Sequence, residues 1–197
     1  MQLQLFKSKP LVKNLKFRKK DYSVKRVSFS LSKQFIQKWH YAGTCGNASI
    51  LKLGLFDKND QFCGVAIWNY PAVGCSRYFG LGVKEVLALS RLAIHPLVPK
   101  NAASYLIGQS IRLIKKTYSW IKQLVTYADT RCGHTGTIYK ATNWEYLGRT
   151  VPYYAWIDSE NKTVSCYSNG KKRNYKQMDA LYKRIGPYTK HRFGYKI

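Results

Sequence analysis

The chain has 197 residues, 45% of them hydrophobic and 15% aromatic, which is enough apolar matter for one domain with a sizeable core and too much for a disordered chain. Thirty-four Lys and Arg against nine Asp and Glu leave a formal charge of +25. Such a molecule repels itself unless a polyanion is near, so nucleic acid is the first partner to expect. An anionic membrane is the rival, but the basic residues are interleaved with Tyr and do not oppose a continuous apolar helix face. Five cysteines (Cys45, Cys63, Cys75, Cys132 and Cys166), an odd number with no C-x-x-C pair, point to free thiols in a reducing compartment. No stretch approaches the length of a membrane span, and residues 1–20 lack the apolar core of a signal peptide. A cytoplasmic protein is expected.

Residues 1–27 form a basic arm, with Leu3, Leu5, Phe6, Leu11 and Phe17 as apolar anchors. A first helix begins near Ser32, buries Phe35, Ile36 and Trp39, and stops at Gly43, since glycine accepts the left-handed geometry of a helix end. Residues 49–56 and 61–69 read as a hairpin around the turn 57–60. The Gly- and Pro-rich run 71–82 reads as a loop. Residues 86–94 are apolar enough for a strand buried on both faces, and Pro96 and Pro99 end it. Asn101 or Ser104 then caps a helix carrying Leu106, Ile107, Ile111 and Ile114. Residues 124–129 form a second buried strand, parallel to the first because a helix of crossover length separates them. A short helix at 136–142 leads into Trp144-Glu145-Tyr146-Leu147-Gly148, and strands near 152–157 and 163–167 follow. The tail from 169 carries Tyr175, Met178, Leu181, Tyr182 and Ile185 on a small amphipathic helix that stops at Gly186-Pro187. Three parts are expected: the arm 1–27, a catalytic domain 28–168 and a basic, aromatic extension 169–197.

The order of helix, hairpin, central strand, helix, parallel strand, helix and final strands resembles the GNAT acyltransferase fold, an α/β fold with a mixed sheet in which two central parallel strands splay. More specifically, His40-Tyr41, Arg91-Leu92-Ala93-Ile94-His95-Pro96, Asn101-Ala102-Ala103-Ser104, Tyr127-Ala128-Asp129 and Gly136-x-x-Tyr139 resemble the Mom family of bacteriophage DNA-modification proteins. The likeness runs from about His40 to Gly148. It implies carbamoylmethylation of the exocyclic amine of adenine in double-stranded DNA, an anti-restriction modification. Two other readings stand beside it: a GNAT N-acyltransferase acting on a protein or small-molecule amine, and a nucleic-acid-binding protein without catalysis.

Adenine's amine is a poor nucleophile, because its lone pair is delocalised into the ring. Asp129, at the C-terminal end of a parallel strand, stands where ligands bind in open α/β sheets and is the expected general base or amine-orienting acceptor. The plainer alternative is a carboxylate that caps the next turn or pairs with Arg131. The resemblance adds Tyr41 and Tyr139, whose phenols can stack on an extruded base or donate a proton. His40 is a candidate proton shuttle, and with Asp129, Cys132 and His134 a candidate metal ligand, although no tight ligand spacing enforces a metal site. The resemblance places Arg91, Leu92 and Ala93 by the donor pocket, with Asn101 and Ser104 as a cradle at the helix start. The glycine-rich pyrophosphate turn usual in GNAT proteins is replaced by Pro99-Lys100-Asn101-Ala102-Ala103-Ser104, which argues against ordinary acyl-CoA binding. Because simple acetyl transfer cannot attach a carbamoylmethyl group through its methylene carbon, glycyl-tRNA is the alternative donor to acyl-CoA. In the extension, Lys171, Lys172, Arg173, Tyr175, Lys190 and Arg192 mix cations for phosphates with an aromatic for bases.

Overall fold

A computed structural model describes residues 16–46, 48–168 and 171–197. Residues 1–15 of the expected arm and the expected start of the extension, Asn169 and Gly170, lie outside them. Along the chain run β1 (Tyr22–Arg26), α1 (Phe29–Trp39), β2 (Ser49–Asp57), β3 (Phe62–Asn69), α2 (Val73–Tyr78), β4 (Val86–Ile94), α3 (Ala102–Thr117), β5 (Gln123–Asp129) and α4 (Thr137–Lys140). Then follow β6 (Glu145–Arg149), β7 (Tyr153–Ile157), the two-residue strands β8 (Thr163–Val164), β9 (Tyr167–Ser168) and β10 (Lys171–Lys172), α5 (Tyr175–Leu181), β11 (Lys183–Tyr188) and β12 (Lys190–Lys196).

The central sheet has seven strands in the order β1-β2-β3-β4-β5-β12-β6. Its neighbours are antiparallel except β4 and β5, which run parallel as the crossover through α3 requires. Side chains alternate across the sheet, so each face has its own core. On one face Leu106, Ile107, Ile111 and Ile114 of α3 cover Leu53, Leu87, Leu89, Leu124 and Ala128. On the other, Phe35 and Ile36 of α1 cover Phe56, Phe62, Val65, Ile67 and Ala93. The helix α1 starts earlier than its apolar spacing suggests, because Ser28 caps it by accepting a hydrogen bond from Leu31 N–H.

The parallel pairing between β4 and β5 covers Val86 to Leu89 against Gln123 to Thr126 and then stops. At the same point β4 shifts register against β3, where Ile67 faces Arg91 but Trp68 faces Leu89, so Ser90 is the extra residue of a bulge. Its hydroxyl lies 3.0 Å from both the Ile67 carbonyl and the Asn69 side-chain oxygen. Beyond the bulge Arg91 and Ala93 face α1, Leu92 and Ile94 face α3, and the two parallel strands diverge.

Four expectations need correction. Residues 22–26, assigned above to the arm, are the edge strand β1 of the central sheet, paired with β2. The run 71–82 contains α2. The last amphipathic helix ends at Leu181, so Tyr182 and Ile185 lie outside it, and Gly186-Pro187 sits within β11. Proline is tolerated there because β11 is the edge of the small sheet β11-β7-β8. The region after residue 168 is also more than an appendage, since β12 pairs with β5 on one side and β6 on the other. Five of its seven residues are Lys, His, Arg or Gly, and that composition conceals an interior strand.

Phe193 anchors β12. It is fully buried and packs on Tyr139 and Tyr146, at 5.3 and 5.4 Å between ring centroids. Gly136, before α4, has φ +76°, and a Cβ there would fall 2.2 Å from the Phe193 ring. Both the backbone and the aromatic therefore demand glycine. Phe193→Ala should destabilise the protein by about 3–5 kcal/mol, the usual cost of deleting a buried phenyl group. Urea unfolding followed by circular dichroism checks this.

Candidate active site

Where β4 and β5 part, a cavity of about 370 Å³ opens, lined by His40 and Tyr41 from the end of α1, Leu89, Ser90 and Leu92 from β4, Tyr127 and Ala128 from β5, and residues 133–139. Among the described residues no carboxylate lines it. The splay supplies the space and helix ends supply the polar groups.

His40 closes α1 and is partly buried, with Nδ1 accepting a hydrogen bond from Ala42 N–H at 3.0 Å. Burial, reinforced by the Arg91 and His134 charges, lowers its pKa from 6.5 to about 4. The ring is therefore neutral at physiological pH. Tyr41 stacks on it at 4.3 Å and meets His134 edge-on at 5.2 Å, while remaining 53% exposed. Tyr139, on α4, is buried against Trp144 and Phe193, and burial raises its pKa. On the opposite face of β5 from Tyr139, the Tyr127 hydroxyl donates to Cys75 Sγ at 3.2 Å. That contact brings α2 to the rim.

Asp129 is 6% exposed but does not line the cavity. Tyr153 O–H lies 2.6 Å from both of its oxygens, and Arg131 N–H donates to Oδ1 at 3.0 Å, so the carboxylate caps the turn after β5. Lys190 Nζ stands 4.0 Å away on the neighbouring strand. Burial and the Asp129 carboxylate together raise the Tyr153 pKa, which keeps its proton in place. Nothing in the sequence singles out Tyr153 among sixteen tyrosines, since its contact with Asp129 depends on β7 folding back over β5.

The expected donor group divides. Leu92 lines the cavity. Arg91 faces the other way, giving hydrogen bonds from Nε to Thr44 O at 2.8 Å and from one terminal nitrogen to Ser90 O at 2.7 Å, so it pins the loop after Tyr41. Ala93 is buried under α1. Asn101 holds the cap position of α3 with φ 78° but makes no side-chain cap bond, and the Ser104 hydroxyl donates to its carbonyl at 2.9 Å. Both line a separate groove between α3 and residues 141–142.

The expected metal set does not assemble: among the described residues no three His, Cys, Asp or Glu side chains are placed to share an ion. Of the expected nucleic-acid residues, Lys190 and Arg192 share the Asp129 face of the sheet, with Arg192 over the Tyr78 ring at 4.0 Å and Lys190 5.0 Å from that of Tyr153. Lys171 and Lys172 lie on β10, outside the central sheet, and Tyr175 opens α5 beside Trp156. Arg173 follows β10, its backbone N–H donating to Cys166 O at 2.7 Å.

The sequence profile of the Mom protein family matches residues 21–196. The chain belongs to this family. Within it, the methylcarbamoylase Mom of Escherichia phage Mu is 29% identical over 144 residues, which cover 72% of this chain and 59% of the phage Mu protein. The fold is that of the GNAT acetyltransferases. The ribosomal-protein-S5-alanine acetyltransferase of Vibrio fischeri superposes with a TM-score of 0.53 at 10% identity, over 93% of this chain and 97% of that one. A Bacillus subtilis acetyltransferase in complex with CoA gives 0.51 at 8% identity, over 89% and 97%.

A CoA pyrophosphate would need free amides where β4 turns into α3. This Mom-family chain has no glycine between residues 95 and 104. The amides of Leu97, Val98 and Ala102 are already bonded, to His95 Nδ1, His95 O and Pro99 O. The turn thus lacks a glycine-rich cradle, and the amides it leaves open include those of the first turn of α3, at Ala103 and Ser104.

Folding holds His40 neutral while the unfolded chain protonates it below pH 6.5, so this contribution to stability falls as pH drops from about 6.5 towards about 4. An imidazole NMR titration should place its midpoint near 4, and a midpoint near 6.5 would contradict the burial argument.

Proposed function

We propose that this Mom-family protein modifies adenine in double-stranded DNA, leaving N6-carbamoylmethyladenine and protecting phage DNA from host restriction enzymes. One observation carries the reading: His40, Tyr41 and Tyr139, from segments far apart in the chain, meet around one carboxylate-free cavity beside a basic rim. Imidazole and phenol groups can hold a flat, uncharged base and bond its edges.

In this reading the adenine leaves the duplex and stacks on the exposed ring of Tyr41, while Lys190 and Arg192 hold the flanking phosphates. Asp129, braced by Tyr153 and the Arg131 amide, stands outside the cavity lining but near enough to Tyr41 for its charge to help raise that phenol's pKa. In this reading the base on Tyr41 extends past the lining, and the carboxylate orients its exocyclic amine or accepts its proton. Tyr139 and neutral His40 supply the remaining polar wall. We favour a glycyl ester such as glycyl-tRNA over acyl-CoA, in keeping with the bonded amides of Leu97 and Val98 and the absence of glycine between residues 95 and 104. The adenine nitrogen attacks the ester carbonyl, forming an amide and releasing the RNA hydroxyl, which takes the amine proton. The glycyl amine then attacks ring carbon six, and the original carbon–nitrogen bond breaks. The nitrogen that came from adenine ends as the terminal carboxamide.

Mass spectrometry of nucleosides from DNA of expressing cells tests the product. With glycine labelled by ¹⁵N, the label should sit on the nitrogen bonded to the ring; label in the carboxamide would rule out this route. Asp129→Asn should cut modification by about 10²–10⁴-fold, the usual span for loss of general-base catalysis, with DNA affinity unchanged. Equal loss of binding would instead make Asp129 a structural cap.

A further inference from the structure

Four helices flank the central sheet, and none of α1 to α4 contains an acidic residue. The acids elsewhere are largely committed: Asp21 pairs with Arg18, Asp60 with Lys25, Glu85 with Lys122, Glu160 with Lys162 and Asp179 with Arg184. The outer side of α3 is therefore left with uncompensated cations.

Two grooves run there, of about 340 and 380 Å³, and Arg112 lines both. The first also holds Lys19, Ser104 and Thr142, the second Arg26 and Lys116, and among the described residues no carboxylate lines either. Lys19, Arg112 and Lys116 are exposed, and among the described residues none of the three is in an ion pair. Their charges point into open grooves on the face opposite Tyr127, Asp129, Lys190 and Arg192. The two faces communicate through one short segment. Thr137, Ile138 and Tyr139 line the cavity in the splay, while Ala141 and Thr142 line the first α3 groove.

We infer that the α3 face is a second nucleic-acid site, and that it holds the phosphate backbone of an RNA bearing the acyl group as a terminal ester. This rests on the adenine-modification reading above. If the substrate duplex covers the Lys190 and Arg192 face, the acyl group has to enter the splay from the other side. A compact pyrophosphate would need a cradle of amides, whereas a polynucleotide needs what α3 presents: separated cations along an open track. The site would bind RNA through its backbone, with little sequence preference and a strong dependence on salt.

The test is the triple variant Lys19→Ala, Arg112→Ala, Lys116→Ala of the full chain, probed with uncharged transfer RNA and, separately, with a DNA duplex. We expect RNA affinity to fall at least about tenfold near physiological salt, with the slope of log K against log salt shallower by about 2, the share of three phosphate contacts. DNA affinity should stay within about twofold, which also serves as the check on folding. Unchanged RNA affinity overturns the inference, as does an equal loss for DNA, which would make α3 a duplex surface. Full modification with acyl-CoA in RNA-free enzyme also overturns it and leaves the adenine reading standing. Selective loss of RNA binding in a protein that forms no modified adenine upholds the RNA site, and the failure then falls on the adenine reading.

Discussion

The site exists because a parallel strand pair stops pairing. Up to Leu89 and Thr126 the β4 and β5 ladders hold the centre of the sheet together, and the extra residue Ser90 then turns β4 away. A bulge re-aims every side chain beyond it, so Leu92 stays with the cavity while Arg91 is turned towards the loop after Tyr41. Arg91 thus fixes the loop that follows Tyr41, whose ring stacks on His40. The void also depends on what surrounds it. Trp144, Phe193 and Tyr139 form an aromatic wall that does not collapse inward, because each ring is braced by another.

Electrostatics follows from how the few acids are used. With five of them bound to surface cations and Asp129 held by Tyr153, the protein has little negative charge to offset its helices. Exposed pairs of this kind add little stability. Their effect is on the charge balance, since they occupy most of the few acids and leave cations unpaired on the α3 face.

Much of this was legible in the sequence. The strands 86–94 and 124–129 announce themselves by largely apolar runs, interrupted only by Ser90, Arg91 and Thr126 before the closing Asp129, and the break at Pro96 and Pro99 fixes the crossover. The helix faces of α1 and α3 follow from spacing alone. What periodicity could not reveal was pairing between distant segments. β12 carries a polar composition because one of its faces looks onto the basic rim, and β1 hides within a charge run because it is an edge strand with exposed Lys25 and Arg26. Asp129 was readable as a strand-end carboxylate, but its capture by Tyr153 was not. Nor could spacing show that Asn101 and Ser104 belong to a groove apart from the splay.

The position of β12 has a consequence for how the molecule comes into being. β12 lies between β5 and β6, both earlier in the chain, and pairs with β5 across some sixty residues, as Lys190 against Asp129 shows. Until it slots in, β5 is an open edge, and Tyr139 lacks the ring that backs it. Contacts of such long sequence separation are slow to form, because loop-closure entropy opposes them before any burial compensates. The half of the sheet around α1 and α3 can condense first from near neighbours. The cavity wall therefore depends on the last strand of the chain, and it is complete only once β12 has docked.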